Sequence, residues 1–278
     1  MKLFLQRHLL GAFFVLAFAL SWYPWIIALF RGHTTGPNPL GPLLAGLIVT
    51  AIVSGRSGLR EYLGRIVHCR VGVHYLATAC LLPILICLIS VALTVCLTGD
   101  PKMGSLSIEN LRELPERFLF TFLFVGLGEE PGWRGFALPQ LQTRHSPLIA
   151  SLILAPIWMI WHLPLMGTEF PWLIVPPFLL SVLGGTFLLT WIFNRTGGSV
   201  FVAMLFHAAT NTIGAGLLFP LFSGSALLLL WWIYGAACVV AGLAVLLHDE
   251  RRQISRLSAR TFAAGVTAKV VSVPLRPR

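Results

Sequence analysis

Apolar runs of about twenty residues recur along this chain, and that is the length one helix needs to cross the hydrocarbon core of a bilayer. They fall at roughly 9–30, 39–54, 75–97, 118–140, 147–165, 172–193, 199–219 and 226–247. Lipid offers the backbone no hydrogen bonds, so spanning segments must be helices or a closed barrel. Runs of this length predict an all-α, polytopic membrane protein with about eight transmembrane helices and a buried polar site. Composition agrees: 56% of the residues are hydrophobic and 11% charged, against roughly a quarter charged in soluble domains. The second run is short and carries Gly41, Pro42 and Gly46, which makes it the least regular. The first follows Lys2 and Arg7 but is long for a signal core and lacks a small-x-small exit, so it reads as an anchored span.

Loop charge sets the expected orientation. With the N-terminus inside, the inner side holds Lys2, Arg7, Arg56, Arg60, Arg65, Arg70, Arg144, Arg195 and the seven basic residues after position 248. The outer side holds Arg31, Lys102, Arg112 and Arg117. That is 15 against 4, so both termini are expected in the cytoplasm. The net charge of +10 fits contact with anionic lipid. It does not fit nucleic acid, because the basic residues flank apolar runs and form no aromatic-interleaved patch. Residues 56–74 alternate basic and apolar types (Arg60, Tyr62, Leu63, Arg65, Ile66) and read either as a helix at the inner interface or as a solvated loop. The basic tail, 248–278, reads as loosely ordered. Five cysteines without CxxC spacing read as packing thiols, not a disulfide framework.

The decisive residues are the polar ones that the bilayer is asked to hold. Of ten acidic residues only Glu129 and Glu130 sit inside an apolar run, and of eight histidines only His162 and His207 do. An ionisable group in the bilayer is costly and marks function by default. The first cluster is Glu129-Glu130-Pro131-Gly132-Trp133-Arg134-Gly135. Glu130 and Arg134 are four apart and can pair on one helix face, which is equally a structural pair; Glu129 is turned away by about 100°. Pro131 and Gly132 predict a local distortion. In the second cluster Trp158 precedes His162 by four, so the indole can wall the imidazole, although a lone histidine on an apolar helix is commonly packing. In the third, His207 and Asn211 share a face, which suits two donors aimed at an oxyanion or an interhelical hydrogen-bond pair.

The inventory narrows the chemistry. The only aspartates, Asp100 and Asp249, lie outside the runs, HExxH is absent, and Ser151 and Ser181 carry no nucleophile motif. What remains is a glutamate helped by two histidines and an amide. The order EExxxRG, (F/W)xxxH, HxxxN on successive helices, with Asn194-Arg195-Thr196-Gly197-Gly198-Ser199 before the third, resembles the CPBP family, the type II CAAX prenyl endopeptidases and their bacterial relatives. The resemblance spans roughly 118–215 and implies an eight-helix intramembrane protease in a cell membrane, in the bacterial case the inner one. It divides the chain into N-terminal helices with an interfacial segment (1–117), the core helices (118–215), and the last helix with its tail (216–278).

By that resemblance Glu129 activates water, His162 holds it, and His207 and Asn211 stabilise the oxyanion. Glu130, Arg134 and Trp158 support them. No cofactor is favoured. A zinc variant held by Glu129, His162 and His207 stays open, since such a set leaves a water position. The implied partner is a membrane-associated peptide or protein, lipidated ones included. Glu-Pro-Gly-Trp-Arg departs from the family's usual apolar residues at that place, which implies altered helix geometry there. The alternatives are a non-catalytic membrane immunity or binding protein and a proton-coupled carrier using the same buried residues; no internal symmetry of the carrier kind is evident.

Overall fold

The structure is a computed structural model describing residues 8–99 and 107–271, with side chains described as far as Arg251. The expectations on Lys2, Arg7, Asp100 and Lys102 lie outside the described residues. The described backbone is a bundle of helices, and the expected apolar runs map onto it. In chain order they are α1 (Leu9–Phe30), α2 (Gly41–Ile66), α3 (Val73–Thr98) and the short α4 (Ile108–Arg112). There follow a continuous helical run over 114–142 (α5), α6 (Pro147–Trp161), α7 (Val175–Arg195), α8 (Val200–Ile213) and α9 (Gly224–Val271). Six segments among the described residues are long and apolar enough to cross a membrane. The interrupted α5 and the shorter α6 complete the expected eight, and the chain is a multi-pass membrane protein.

Two stretches differ from their expectation or resolve it. In α2, Gly55 adopts φ 61, ψ −150, a left-handed conformation that glycine takes without a Cβ penalty. A straight helix would put residues 46 and 62 about 24 Å apart at 1.5 Å per residue. Instead the Tyr62 ring lies over Gly46 and its hydroxyl donates to the Leu43 carbonyl at 3.3 Å. The span thus ends at Gly55, and 56–66 is a separate helical arm folded against it, not a solvated loop. The tail is the correction: 248–271 was expected to be loosely ordered, yet its backbone continues α9 to Val271. No proline occurs between residue 248 and Pro274, and the arginines, alanines and glutamine there have good helix propensity.

Small residues set the helix crossings. Gly41 sits against Ser21 and Ala17 of α1, and Gly184 of α7 against Cys238 and Val239 of α9. Gly235 and Gly242 of α9 approach the α7 backbone closely, as close packing in lipid requires. Gly126 faces Met204 of α8, while Gly128 and Gly132 face the backbone of Pro39 and Pro42. These three glycines let α5 sit tightly between α8 and the start of α2, with Glu129 and Glu130 enclosed at the junction. The cysteines are all free; Cys87 and Cys238 are buried, whereas Cys69 and Cys96 are exposed.

Candidate active site

The site begins with a distortion in α5. Proline has no N–H, so Pro131 and Pro139 cannot donate to the carbonyls of Leu127 and Gly135 four residues earlier. Between these breaks the chain is π-helical over Pro131–Ala137, as it also is over Thr121–Gly126. Such wide turns are rare and concentrate at functional sites. The orphaned Gly135 carbonyl is met by Arg65 Nη1 at 2.8 Å, from the folded-back arm of α2. The distortion predicted from Pro131 and Gly132 is therefore present. Phe13 of α1, Trp133 and Trp161 pack around it in edge-on contacts.

This geometry splits the two adjacent acids. Glu130 is fully buried and pairs with Arg134, also fully buried, at 3.2 Å. Its same oxygen, Oε1, lies 2.7 Å from His207 Nδ1. Glu129 instead accepts a hydrogen bond from the Trp158 indole at 2.8 Å. The Arg134 guanidinium stands 4.1 Å over the centre of that indole, a cation–π contact. Trp158 therefore links the Glu130–Arg134–His207 knot to Glu129. His162 Nδ1–H donates to the Trp158 carbonyl at 2.8 Å, and Trp158, Trp161 and Phe178 crowd its ring. The expected walling of the imidazole by the indole is present. The backbone carbonyl sets the orientation of the ring, and the indole N–H is spent on Glu129.

A cavity of about 570 Å³ runs up to these groups. Glu129, Trp158, His162, His207 and Asn211 line it, whereas Glu130 and Arg134 do not. All the expected cavity-facing residues from α5, α6 and α8 thus meet at one chamber, and the expected ion pair lies behind it. The remaining walls are largely apolar, with Phe124, Phe178, Phe219 and Trp231 among them. Ser181 also faces the cavity, but its hydroxyl donates to the Phe178 carbonyl. Sequence reasoning missed the Glu130–His207 contact, 77 residues apart, and the Trp158–Glu129 contact, 29 apart. It also missed Glu169, an exposed acid on the cavity wall. No spacing rule signals any of the three.

The polar groups have fixed roles. A carbonyl can only accept, so His162 carries its proton on Nδ1 and leaves Nε2 as an acceptor. The buried set can reach neutrality in two ways, with the proton on His207 or on one of the glutamates. With Glu129 and Glu130 ionised and Arg134 positive, a protonated His207 makes the set neutral, and a buried net charge is far more costly than a paired one. In that state His207 bonds Glu130 through Nδ1–H, and its Nε2–H is a free donor. Of the residues named for a zinc variant, Glu129 is hydrogen-bonded to Trp158, His162 to the Trp158 carbonyl and His207 to Glu130. Among the described residues no group of three His, Cys, Asp or Glu side chains is disposed to hold a metal ion.

Comparison with known proteins bears on the same stretch. Residues 113–213 match the family described as Type II CAAX prenyl endopeptidase Rce1-like. The chain is also 32% identical over 102 residues to the CAAX prenyl protease 2 of Methanococcus maripaludis, covering 34% of this chain and 38% of that protein. The match thus spans less than half of the relative's length. The matched stretch, residues 113–213, carries all the motifs of the site and is similar to the Rce1-like family, in line with the CPBP resemblance of the motifs.

Proposed function

We propose that this Rce1-like membrane protein is an intramembrane endopeptidase that hydrolyses a peptide bond of a membrane-associated substrate, lipidated substrates included. The observation that carries the reading is the separation of the two acids. Glu129 faces a cavity held by one indole hydrogen bond, while Glu130 is consumed by Arg134 and His207 behind it. A purely structural acid pair has no use for that arrangement.

In the proposed mechanism a water donates one hydrogen to Glu129 and the other to His162 Nε2. Both its hydrogens are then committed, and a lone pair is directed at the scissile carbonyl. Glu129 takes a proton as the water oxygen bonds to the carbonyl carbon. The carbonyl oxygen becomes an oxyanion, to which His207 Nε2–H and an Asn211 amide N–H donate. Glu129 then returns the proton to the leaving nitrogen as the C–N bond breaks, so that base and acid are the same group. Glu130 holds His207 through Nδ1–H, and Arg134, paired with Glu130, holds the Trp158 ring in place.

The test is cleavage of membrane-bound and prenylated peptide libraries by the purified protein, with fragments read by mass spectrometry and metal content measured in parallel. Activity is expected to survive chelation, with no stoichiometric zinc in the protein. Loss of activity with a chelator, restored by zinc, would transfer His162 and His207 from water and oxyanion contacts to ligation. Cleavage of no peptide, with tight retention of some, would favour the binding-protein alternative.

A further inference from the structure

The two ends of the bundle are built differently. At one end the helices are stopped by short, capped connections. Ser146 caps α6 and Ser199 caps α8, and Ser199 also donates to the His68 carbonyl. Arg195 pairs with Asp249, and Glu250 accepts from the Leu148 N–H. This end carries Arg56, Arg60, Arg65, Arg70, Arg144, Arg195 and Arg251, against Glu61, Asp249 and Glu250. At the other end the described charges are Arg31, Arg112 and Arg117 against Glu109, Glu113, Glu116 and Glu169. By the excess of loop arginine, the first end is cytoplasmic.

Among the described residues, the longer irregular stretches between helices lie at the other end. α6 has 15 residues and α8 has 14, about 21–22 Å of helix, short of a hydrocarbon core of about 30 Å. Both start at the basic end, so α6 stops inside the membrane, while the run begun by α8 leaves the α-helical form there and continues in other turns to Leu221. Beyond them run the turns of 162–174 and the π and 3-10 turns of 214–221. Beside them the irregular 31–40 segment reaches Ser21 of α1 and Gly128 of α5. Irregular backbone at membrane depth is tolerated where it is buried in protein or lines a water-filled space. These segments do line the cavity, through Gly36, Pro37, Leu165, Glu169, Phe170 and Phe219. No residue of the basic-end connections at 67–72, 143–146 or 196–199 does. The catalytic set lies mid-membrane: His207 and Asn211 are 8 and 12 positions beyond Ser199, about 12 and 18 Å at helical rise.

We infer that the cavity opens to the side of the membrane opposite the basic face, so that the substrate is a membrane-anchored chain whose scissile segment enters from the extracytoplasmic side. The inference rests on the reading of the cavity as the hydrolytic site, but its geometry is tested independently. Glu169 stands at that opening, and Cys69 is an exposed native thiol at the basic end.

The experiment uses the full chain in intact cells with a membrane-impermeant maleimide. One form keeps Cys69 and replaces Cys80 and Cys96; a second replaces all three and carries Glu169→Cys; a third carries Thr35→Cys in the same background. The buried Cys87 and Cys238 are left in place. Glu169→Cys and Thr35→Cys should label before permeabilisation and Cys69 only after it. The reverse pattern, or protection of both Glu169→Cys and Thr35→Cys in intact cells, overturns the inference. Sealed right-side-out vesicles supply the second readout: an impermeant peptide that the detergent-solubilised protein cleaves should be cleaved when added outside. Cleavage in detergent but not from outside also overturns the sidedness and leaves the hydrolase standing. Outside labelling with no cleavage in any format removes the hydrolase and leaves the opening.

Discussion

Glu129 and Glu130 are neighbours in the chain and stand in two unlike regions of the molecule. Behind the site, Glu130 and Arg134 form a buried ion pair away from the cavity, and His207, which lines the cavity, is joined to that pair through Glu130. In front, Glu129, His162 and Asn211 face a chamber walled by aromatic rings. One residue step on the π-distorted α5 separates a group held by ionic partners from one held by a single neutral donor. The pair has the composition of a stability element, and the open face keeps its hydrogen-bonding capacity for something that is not protein. Mutations should therefore sort by region: those in front should act on turnover and those behind on folding.

The largest effect is expected from Glu129→Gln. The amide keeps the shape and one acceptor for Trp158 but cannot take a proton. Turnover on a verified peptide should fall by about 10²–10⁴, with the melting temperature and yield close to those of the parent. Full activity in this variant would end the assignment of Glu129 as the base. Arg134→Ala tests the other region. It leaves Glu130 buried without its cation, and breaking a buried pair costs on the order of 3–5 kcal/mol. Poor accumulation and a lowered melting temperature in mild detergent should appear before any separable effect on kcat. An Arg134→Ala protein that folds normally and loses only activity would dissolve the distinction between the regions.

Asn211→Ala comes next. It removes one proposed oxyanion donor from the open face, where such a loss typically lowers kcat about 10²–10³-fold. KM should be little changed, and residual turnover should remain because His207 is still in place. Pre-steady-state rates on a saturating peptide separate this from weakened binding.

How these regions could be read beforehand differs in an instructive way. The Glu130–Arg134 pair and the His207–Asn211 face follow from helical spacing, so the four-residue periods in the sequence contain them. The kinship of the two regions does not: it is made by Glu130 with His207 and by Trp158 with Glu129, contacts between helices that no period encodes. Pro131 announced the broken α5, but Pro139, which orphans the Gly135 carbonyl and gives Arg65 its partner, carries equal weight. Gly55 was a glycine among many in an apolar run. Only its positive φ shows that it turns the chain back. The apolar runs themselves were legible because the bilayer permits so few ways to satisfy a backbone.

The smallest effect belongs to Trp158→Phe, the residue on the boundary between the regions. Its ring takes the Arg134 guanidinium on one face, and its N–H holds the Glu129 carboxylate. Phenylalanine keeps an aromatic face, so the cation–π contact weakens without vanishing, and the Glu130–Arg134 pair is untouched. The lost hydrogen bond is to a charged acceptor, a class worth about 1.5–3 kcal/mol. That stabilisation is felt mainly by Glu129, whose carboxylate then has wider rotamer freedom and a poorer aim at the water. The expected result is a fall of roughly 10-fold or somewhat more in kcat, an unchanged KM, and a small drop in melting temperature. The comparison with Trp158→Ala sharpens it: alanine also removes the ring over Arg134 and should add a loss of stability that phenylalanine avoids. If the two variants were equally unstable and equally slow, the N–H would have no part of its own. Trp158 would then belong with the buried pair, and Glu129 would be held in the cavity by its backbone alone.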